Sequence, residues 1–235
     1  MIYPLTIFGV AGLIVLFMMT FIIPTFAKMF TNLGAELPLP TQIVIGTSNF
    51  VQSYILLILA GGAGAMYGLR RFYKTDQGSW LIDSLVLKLP IISPLVRKVS
   101  IARFTRTLGT LISCGVPILE GLRITAKTAG NRVVEHAVMQ AREAVSTGRT
   151  VADPLRASGV FPPMVVQMIN VGEQTGSMEE MLVKVADFYD DEVDTAVSSL
   201  TALLEPLMIV VLGVMIGGLV VALYLPIFKL VTLVK

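Results

Sequence analysis

An acidic run is the part of the sequence best suited to chemistry. Asp187, Asp190, Asp191 and Asp194 recur at the three- and four-residue steps that place side chains on one face of a helix. Such a face could bind a divalent cation weakly, although calcium sites usually take ligands from a flexible loop. We interpret the run as a solvated acidic face, in preference to a metal site.

Other reactive groups are few. His136 is the only histidine and Cys114 the only cysteine, so the chain lacks a His-rich metal site and an intrachain disulfide. We expect His136 at the surface and Cys114 packed as a small apolar residue. The sequence contains no P-loop, no G-x-S-x-G nucleophile elbow and no H-E-x-x-H motif. The sequence therefore predicts that the chain is not an enzyme and binds no metal or cofactor. If the protein does mechanical work, a partner must supply the energy.

The composition predicts a membrane protein. Hydrophobic residues make up 54% of the 235 residues and charged residues only 14%, against roughly 25% charged in soluble domains. Three uncharged stretches predict transmembrane helices over residues 1–30, 50–70 and 205–230, each long enough for a bilayer core of about 30 Å. A retained first span is favoured over a cleavable signal peptide, because no Lys or Arg precedes Lys28.

Basic residues predict the orientation of these spans. The second span is followed by a compact cluster of Arg70, Arg71 and Lys74, whereas residues 31–49 contain no Lys or Arg. Because positive loops stay in the cytoplasm, we expect a periplasmic loop over residues 31–49, a cytoplasmic N-terminus and a periplasmic tail over residues 231–235. Lys229 and Lys235, after the third span, favour the opposite orientation.

The spans carry small residues and no central charge. Intramembrane charges usually mark ion or proton pathways, so their absence argues against a transporter and an intramembrane enzyme. Two small-xxx-small pairs, Gly64 with Gly68 and Gly213 with Gly217, are spaced for close packing of membrane helices. Ordinary membrane-helix composition would also supply such glycines.

Residues 71–204 predict a cytoplasmic bundle of six helices. The fold class is thus all-α: a three-span helical membrane protein with one six-helix antiparallel bundle. Glycine, proline and capping residues set the helix ends. The six segments are residues 101–113, 117–129, 131–146, 150–159, 161–176 and the helix that opens with a Ser177–Glu180 capping box.

The sixth bundle helix continues almost directly into the third span at Glu205 and Pro206. This pair is therefore a candidate junction for force transmission. Charge is also divided along the bundle, because residues 70–156 carry a balance of +8 and residues 157–204 a balance of −7. The two parts could pair across the bundle, or face anionic lipid and a docking partner respectively.

Several segments, in the same order, resemble one family. The sequence is similar to type II secretion system F and PilC-like type IV pilus assembly proteins, which are inner-membrane platform proteins. The resemblance covers essentially the whole chain, and the ending of the chain leans toward the pilus branch. The matching segments are residues 33–41 (LGAELPLPT), 108–120 (LGTLISCGVPILE), 161–169 (FPPMVVQMI), 171–176 (VGEQTG), 204–208 (LEPLM) and 224–228 (YLPIF).

The resemblance implies a function and partners. A cytoplasmic assembly ATPase would move the platform, which would lift pilin or pseudopilin subunits out of the bilayer. It also implies other inner-membrane assembly proteins, a homo-oligomer and no nucleic acid. Gly172, Glu173 and Gly176 become candidate partner contacts at a helix turn, while a structural role at the helix end is equally open for Glu173.

Family members usually have two cytoplasmic bundles, and this chain matches the C-terminal half. It could be a natural short form or a fragment. The alternative to a platform is a membrane-anchored helical sensor or scaffold without a secretion role.

Overall fold

The computed structural model describes residues 2–32 and 39–233. Within these ranges every regular element is helical and no strand occurs, which confirms the all-α prediction. The helices are α1 (Ile2–Phe17), α2 (Ile23–Asn32), α3 (Leu39–Tyr73), α4 (Asp76–Val86), α5 (Ser93–Ser113), α6 (Ile118–Thr128), α7 (Arg132–Ser146), α8 (Ala152–Ala157), α9 (Pro163–Thr175) and α10 (Met178–Leu233).

The chain forms two compact units. Unit 1 comprises Met1–Gly68 and Ser199–Lys235, and unit 2 comprises Leu69–Ser198. Both α3 and α10 contribute residues to each unit.

Unit 1 contains the apolar helices. Three helices each contain a stretch long and apolar enough to cross a bilayer, in agreement with the predicted three-span fold class: Tyr3–Phe26, Thr41–Tyr73 and Met178–Leu225, of which the last two extend into unit 2. The first is interrupted by one π-helical turn, Met18–Ile22, between α1 and α2. A π-helical turn shifts the backbone hydrogen bonds by one residue and leaves carbonyls available to other donors.

Residues 31–32 and 39–49 of the predicted loop are helical. Helix α3 begins at Leu39, eleven residues before the predicted start of the second span, and residues 33–38 lie outside the described ranges. Pro40 suits the first helical turn, and the uncharged stretch after it contains no further proline to stop a helix. Similarly, α10 extends to Leu233 within the predicted tail, whose last two residues are not described.

Unit 2 is a helical bundle with one apolar core. The buried cluster draws on α5 to α10, from Ile101 to Tyr189. Phe104 is fully buried at its centre, and its ring packs edge-to-face against Phe161 with centroids 5.2 Å apart. Helix α10 supplies Leu182 and Val185, which are also buried.

Local capping chemistry sets several helix ends. Asn131 Oδ1 accepts hydrogen bonds from the backbone N–H of Val133 at 2.9 Å and of Val134 at 3.3 Å, as expected of an N-cap. Gly176 ends α9 in the left-handed conformation at φ 71°. Helix α10 begins at Met178, directly after Ser177 as predicted, and the Glu180 carboxylate accepts a hydrogen bond from Lys184 at 2.7 Å.

The bundle also contains a helix that the sequence did not predict. Helix α4 precedes the six predicted segments, and α5 begins eight residues earlier than expected, with Pro94 in its first turn. Thr75 caps α4, since its hydroxyl accepts a hydrogen bond from the Gly78 N–H at 3.1 Å.

His136 is exposed as predicted. Cys114 is exposed rather than packed, because α5 ends at Ser113 and the chain turns there.

Candidate functional site

The corner between α9 and α10 brings two of the predicted glycines to a close backbone approach. A Cβ atom on Gly172 would lie 2.9 Å from Met178 Cα, closer than real Cβ contacts allow. Gly176, four residues later, has the positive φ that a left-handed turn requires. Gly172 is buried, whereas Gly176 is exposed. The close backbone approach therefore requires glycine at position 172, and the left-handed turn favours glycine at position 176.

Glu173 fixes the same corner to a third helix. Its carboxylate accepts hydrogen bonds from the backbone N–H of Val151 at 2.5 Å and of Ala152 at 3.0 Å. These donors belong to the first turn of α8, whose N–H groups have no partner within the helix. A carboxylate is the acceptor that best suits them, because it also complements the positive end of the helix dipole.

The acidic face of α10 is partly neutralised by α5. Arg106 Nη2 lies 2.6 Å from both Asp187 Oδ1 and Asp190 Oδ2. The hydrogen bonds that Arg106 donates, chiefly to Asp190 and then to Asp187, raise the pKa of its guanidinium above the usual value. Asp191 and Asp194 are exposed. The guanidinium therefore occupies one end of the predicted acidic run and leaves the other end to solvent.

A second ion pair follows the same pattern. Lys98 Nζ on α5 lies 2.6 Å from Glu192 Oε2 on α10. At this position the basic and acidic parts of the bundle pair with each other, since α5 supplies the cation and α10 the carboxylate. Over the residues that the structure describes, no group of three or more His, Cys, Asp or Glu side chains is arranged to hold a metal ion.

The membrane glycines are open rather than packed within this chain. Apart from its own helix, a Cβ on Gly64, Gly68, Gly213 or Gly217 would meet no atom of the described residues within 4 Å. The small-residue pairs therefore do not bring helices of one chain together at these positions. Packing between chains through these glycines stays a prediction.

Polar side chains that the sequence analysis passed over connect the apolar helices. Thr41 Oγ1 donates to the Ala222 carbonyl at 2.6 Å, and Gln52 Nε2 donates to the Thr20 carbonyl at 2.9 Å. The Ser48 hydroxyl donates to the Met19 carbonyl. Met19 and Thr20 lie in the π-helical turn, which explains why their carbonyls are available. Hydroxyl and amide residues within uncharged stretches were the sequence signal for these contacts.

Glu205 and Pro206 lie within α10 and are both exposed. Proline lacks an N–H and normally breaks the hydrogen-bonding ladder of a helix interior. The helix nevertheless continues through Pro206 to Leu233.

A polar contact also connects α4 to α7. Asp83 is buried, and its carboxylate accepts hydrogen bonds from the Arg132 N–H at 2.7 Å and from the Tyr73 hydroxyl at 3.0 Å. A cavity of about 490 Å³ lies beside this contact, and Lys74 and Lys127 contribute to its lining. Asp83 was not among the predicted site residues, because the sequence pattern did not predict α4.

A family model supplies the decisive comparison. Residues 104–226 match the model described as type II secretion system (T2SS), protein F. The chain belongs to this family. The match confirms the resemblance, and it contains the α9–α10 corner, the acidic face of α10, and the Glu205–Pro206 pair. Family membership and three apolar helices together indicate an inner-membrane protein.

Curated relatives of this T2SS protein F family member include type IV pilus assembly proteins and type II secretion system proteins. The chain is 46% identical to the type IV pilus assembly protein PilC of Myxococcus xanthus, over 98% of this chain and 55% of that protein. It is 45% identical to PilC of Thermus thermophilus, over 98% and 57% respectively. It is 31% identical to type II secretion system protein F of Pseudomonas aeruginosa, over 100% and 58%. The chain therefore spans somewhat more than half the length of these relatives.

Proposed function

We propose that this chain is part of an inner-membrane platform for assembling a type IV pilus or a type II secretion pseudopilus. The platform would couple a cytoplasmic ATPase to the extraction and polymerisation of pilin subunits. Membership of the T2SS protein F family carries the proposal. The sequence itself contains no nucleotide-binding motif.

Sequence identity favours the pilus branch of the family over the secretion branch. Identity is 46% and 45% with two pilus assembly proteins, against 31% with a type II secretion protein. We therefore propose pilin rather than pseudopilin as the substrate. Other inner-membrane assembly proteins and further copies of the chain would complete the platform. The open glycine pairs at Gly64 and Gly68 and at Gly213 and Gly217 would be the contacts between copies.

The proposed orientation follows from the basic residues after α3. Arg70 and Arg71 lie in its last turn, and Lys74 follows. The positive-inside rule then places unit 2 in the cytoplasm, the N-terminus in the cytoplasm and the C-terminus in the periplasm. In this orientation the bundle would meet the ATPase.

The exposed end of the acidic face is the proposed docking surface for that ATPase. Asp191 and Asp194 are exposed, whereas Asp187 and Asp190 pair with Arg106. Complementary charge raises association rates and excludes wrong partners. Gly172, Glu173 and Gly176 would flank the contact or shape the corner beside it. Force would then pass along α10 through Glu205 and Pro206.

Co-purification tests the platform and the docking surface together. The chain, solubilised from the membranes of its own cell, should retain an assembly ATPase. The double variant Asp191→Lys and Asp194→Lys should reduce this retention, with a greater effect at low salt. A matched control, Glu143→Lys with Glu179→Lys, makes the same change of charge at two other exposed positions and should retain the ATPase.

Each failure has a distinct meaning. Equal retention by both double variants would reject the acidic docking surface while leaving the platform. The full-length Myxococcus xanthus relative provides the comparison for the chain itself. If that relative retains its ATPase and this chain does not, the chain alone does not provide the platform function. If that relative retains its ATPase and this chain still does not after the relative's N-terminal part is joined to it, a membrane-anchored sensor or scaffold becomes the better explanation.

A further inference from the structure

Helix α4 packs with its polar face inward. Its buried residues are Gly78, Ser79 and Asp83, all small or polar. Ser79 Oγ accepts a hydrogen bond from Arg132 Nε at 3.3 Å, and Asp83 accepts from the Arg132 backbone N–H. A helix at the surface of a soluble bundle normally buries its apolar face instead. Here polar contacts to α7, together with an edge-to-face contact of the Trp80 and His136 rings at 5.6 Å between centroids, hold α4 in place, and none of the apolar side chains of α4 belongs to the buried apolar cluster of the bundle.

Those apolar side chains are exposed. Trp80 is 45% exposed, Leu81 51% and Leu85 53%. The segment after the helix continues the pattern with three more large exposed residues. We call this set the α4 apolar patch: Trp80, Leu81, Leu85, Leu89, Ile91 and Ile92. Six large apolar residues within thirteen positions form a concentrated surface, and such a surface normally marks a contact with a partner or a membrane.

Charges near the patch are predominantly positive. Basic residues precede and follow α4, and all are exposed: Arg70, Arg71, Lys74 and Lys88. The only two carboxylates between residues 69 and 92 are Asp76 and Asp83. Asp83 is buried and hydrogen-bonded, and Asp76 Oδ1 lies 2.9 Å from Arg132 Nη2. The exposed basic residues are thus accompanied by little opposing charge.

We propose that the α4 apolar patch lies in the headgroup region of an anionic bilayer. Three observations select a bilayer rather than a second protein. Only two residues separate the end of an apolar candidate span, Thr41–Tyr73, from the start of α4. The patch has tryptophan and leucine with flanking lysine and arginine, the composition of interfacial membrane helices. Cationic residues next to a span bind anionic lipid headgroups. The proposal does not depend on which assembly machine the chain serves.

Trp80 provides the test, because it is the only tryptophan in the chain. The full chain is reconstituted into vesicles of phosphatidylcholine and phosphatidylglycerol, with and without bromine atoms on the acyl chains. Bromine quenches tryptophan only at short range. We expect about a two-fold loss of Trp80 emission in brominated vesicles, since an interfacial helix inserts its apolar face roughly 5–10 Å. Acrylamide in the aqueous phase should quench the emission weakly.

A relocated tryptophan is the matched control. The double variant Trp80→Phe with Phe188→Trp moves the fluorophore to α10, where Phe188 is 48% exposed. Its emission should respond to acrylamide and not to brominated lipid. A second variant, with Arg70, Arg71 and Lys74 each changed to Gln, should reduce quenching of Trp80 in vesicles that contain phosphatidylglycerol.

Two results would overturn the proposal. Trp80 emission typical of water, quenched by acrylamide and unaffected by bromine, would show that the patch is not in the bilayer. Blue-shifted emission that neither bromine nor acrylamide quenches would show that protein covers the patch instead.

Discussion

The two units of the molecule treat apolar side chains in opposite ways. Unit 2 buries them in one cluster that reaches from Ile101 on α5 to Tyr189 on α10. The described residues of unit 1 leave most of theirs exposed, including Leu56 at 79% and Val214 at 72%. The buried cluster of unit 2 is typical of a domain in water, where burial of apolar surface drives packing. The exposed apolar side chains of unit 1 are typical of helices in lipid, where that driving force between helices is absent.

The same contrast applies to polar contacts. In unit 2, polar side chains mainly cap helix ends and pair helices at the surface, as Asn131 and Arg106 do. In unit 1, Thr41, Ser48 and Gln52 bond backbone carbonyls of other helices. The apolar core therefore specifies unit 2, whereas a few hydrogen bonds help to specify unit 1. Substitutions of the same type should have different effects in the two units.

Phe104→Ala should produce the largest loss. The side chain is fully buried against Phe161, and removing a buried phenylalanine costs about 3–5 kcal/mol. Urea unfolding of the full chain in detergent, followed by Trp80 emission, measures the loss. Leu56→Ala removes an equally apolar side chain from unit 1 and should leave the urea midpoint unchanged. Equal losses from the two variants would contradict the contrast between the units.

Glu173→Ala should have the next largest effect, concentrated at α8. The variant loses two hydrogen bonds to a partly exposed charged acceptor, and we expect a loss of about 1.5–3 kcal/mol for the pair. Hydrogen exchange at the Val151 and Ala152 amides should therefore accelerate. Glu173→Gln, which keeps one acceptor oxygen, should have an intermediate effect. If Glu173 acts only as a partner contact, Glu173→Ala would abolish pilus assembly while amide protection and membrane levels stay normal.

Gly172→Ala tests the close approach at the same corner. The added Cβ would collide with the Met178 backbone, and overpacking costs about 1–3 kcal/mol. Gly213→Ala is the control, because a Cβ there meets no atom within 4 Å. The urea midpoint should fall for the first variant only. If both variants unfold like the parent chain, the corner can relax and Gly172 has no packing role.

Local signals account for what the sequence could predict. The Asn131 cap and the Gly176 helix end depend on residues next to the helix terminus, so they could be read directly. The cap of α8 by Glu173 joins residues more than twenty positions apart, and no local pattern reveals it. Helix α4 was missed because its apolar residues face outward and its polar ones inward, the reverse of the pattern that identifies a bundle helix.

The candidate site shows the same division. The spacing of Asp187, Asp190, Asp191 and Asp194 predicted one acidic face, but only the structure shows that Arg106 neutralises two of the four. The glycine spacings suggested close packing, yet Gly64 and Gly213 are open while Gly172 is tightly packed. Spacing along a helix identifies a face. Which atoms meet that face depends on tertiary structure.

Gln52→Leu should have the smallest effect, and it tests the polar contacts of unit 1. The amide donates to the carbonyls of Met19 and Thr20 in the π-helical turn. Hydrogen bonds between membrane helices contribute about 0.6 kcal/mol on average, so the loss should barely change the urea midpoint. Exchange at the amides around Thr20 in lipid nanodiscs should still accelerate. Leu57→Gln is the control, because it adds an amide at a 66% exposed position on the same helix. Unchanged exchange near Thr20 in Gln52→Leu would show that α1 and α2 keep their π-helical turn without this contact.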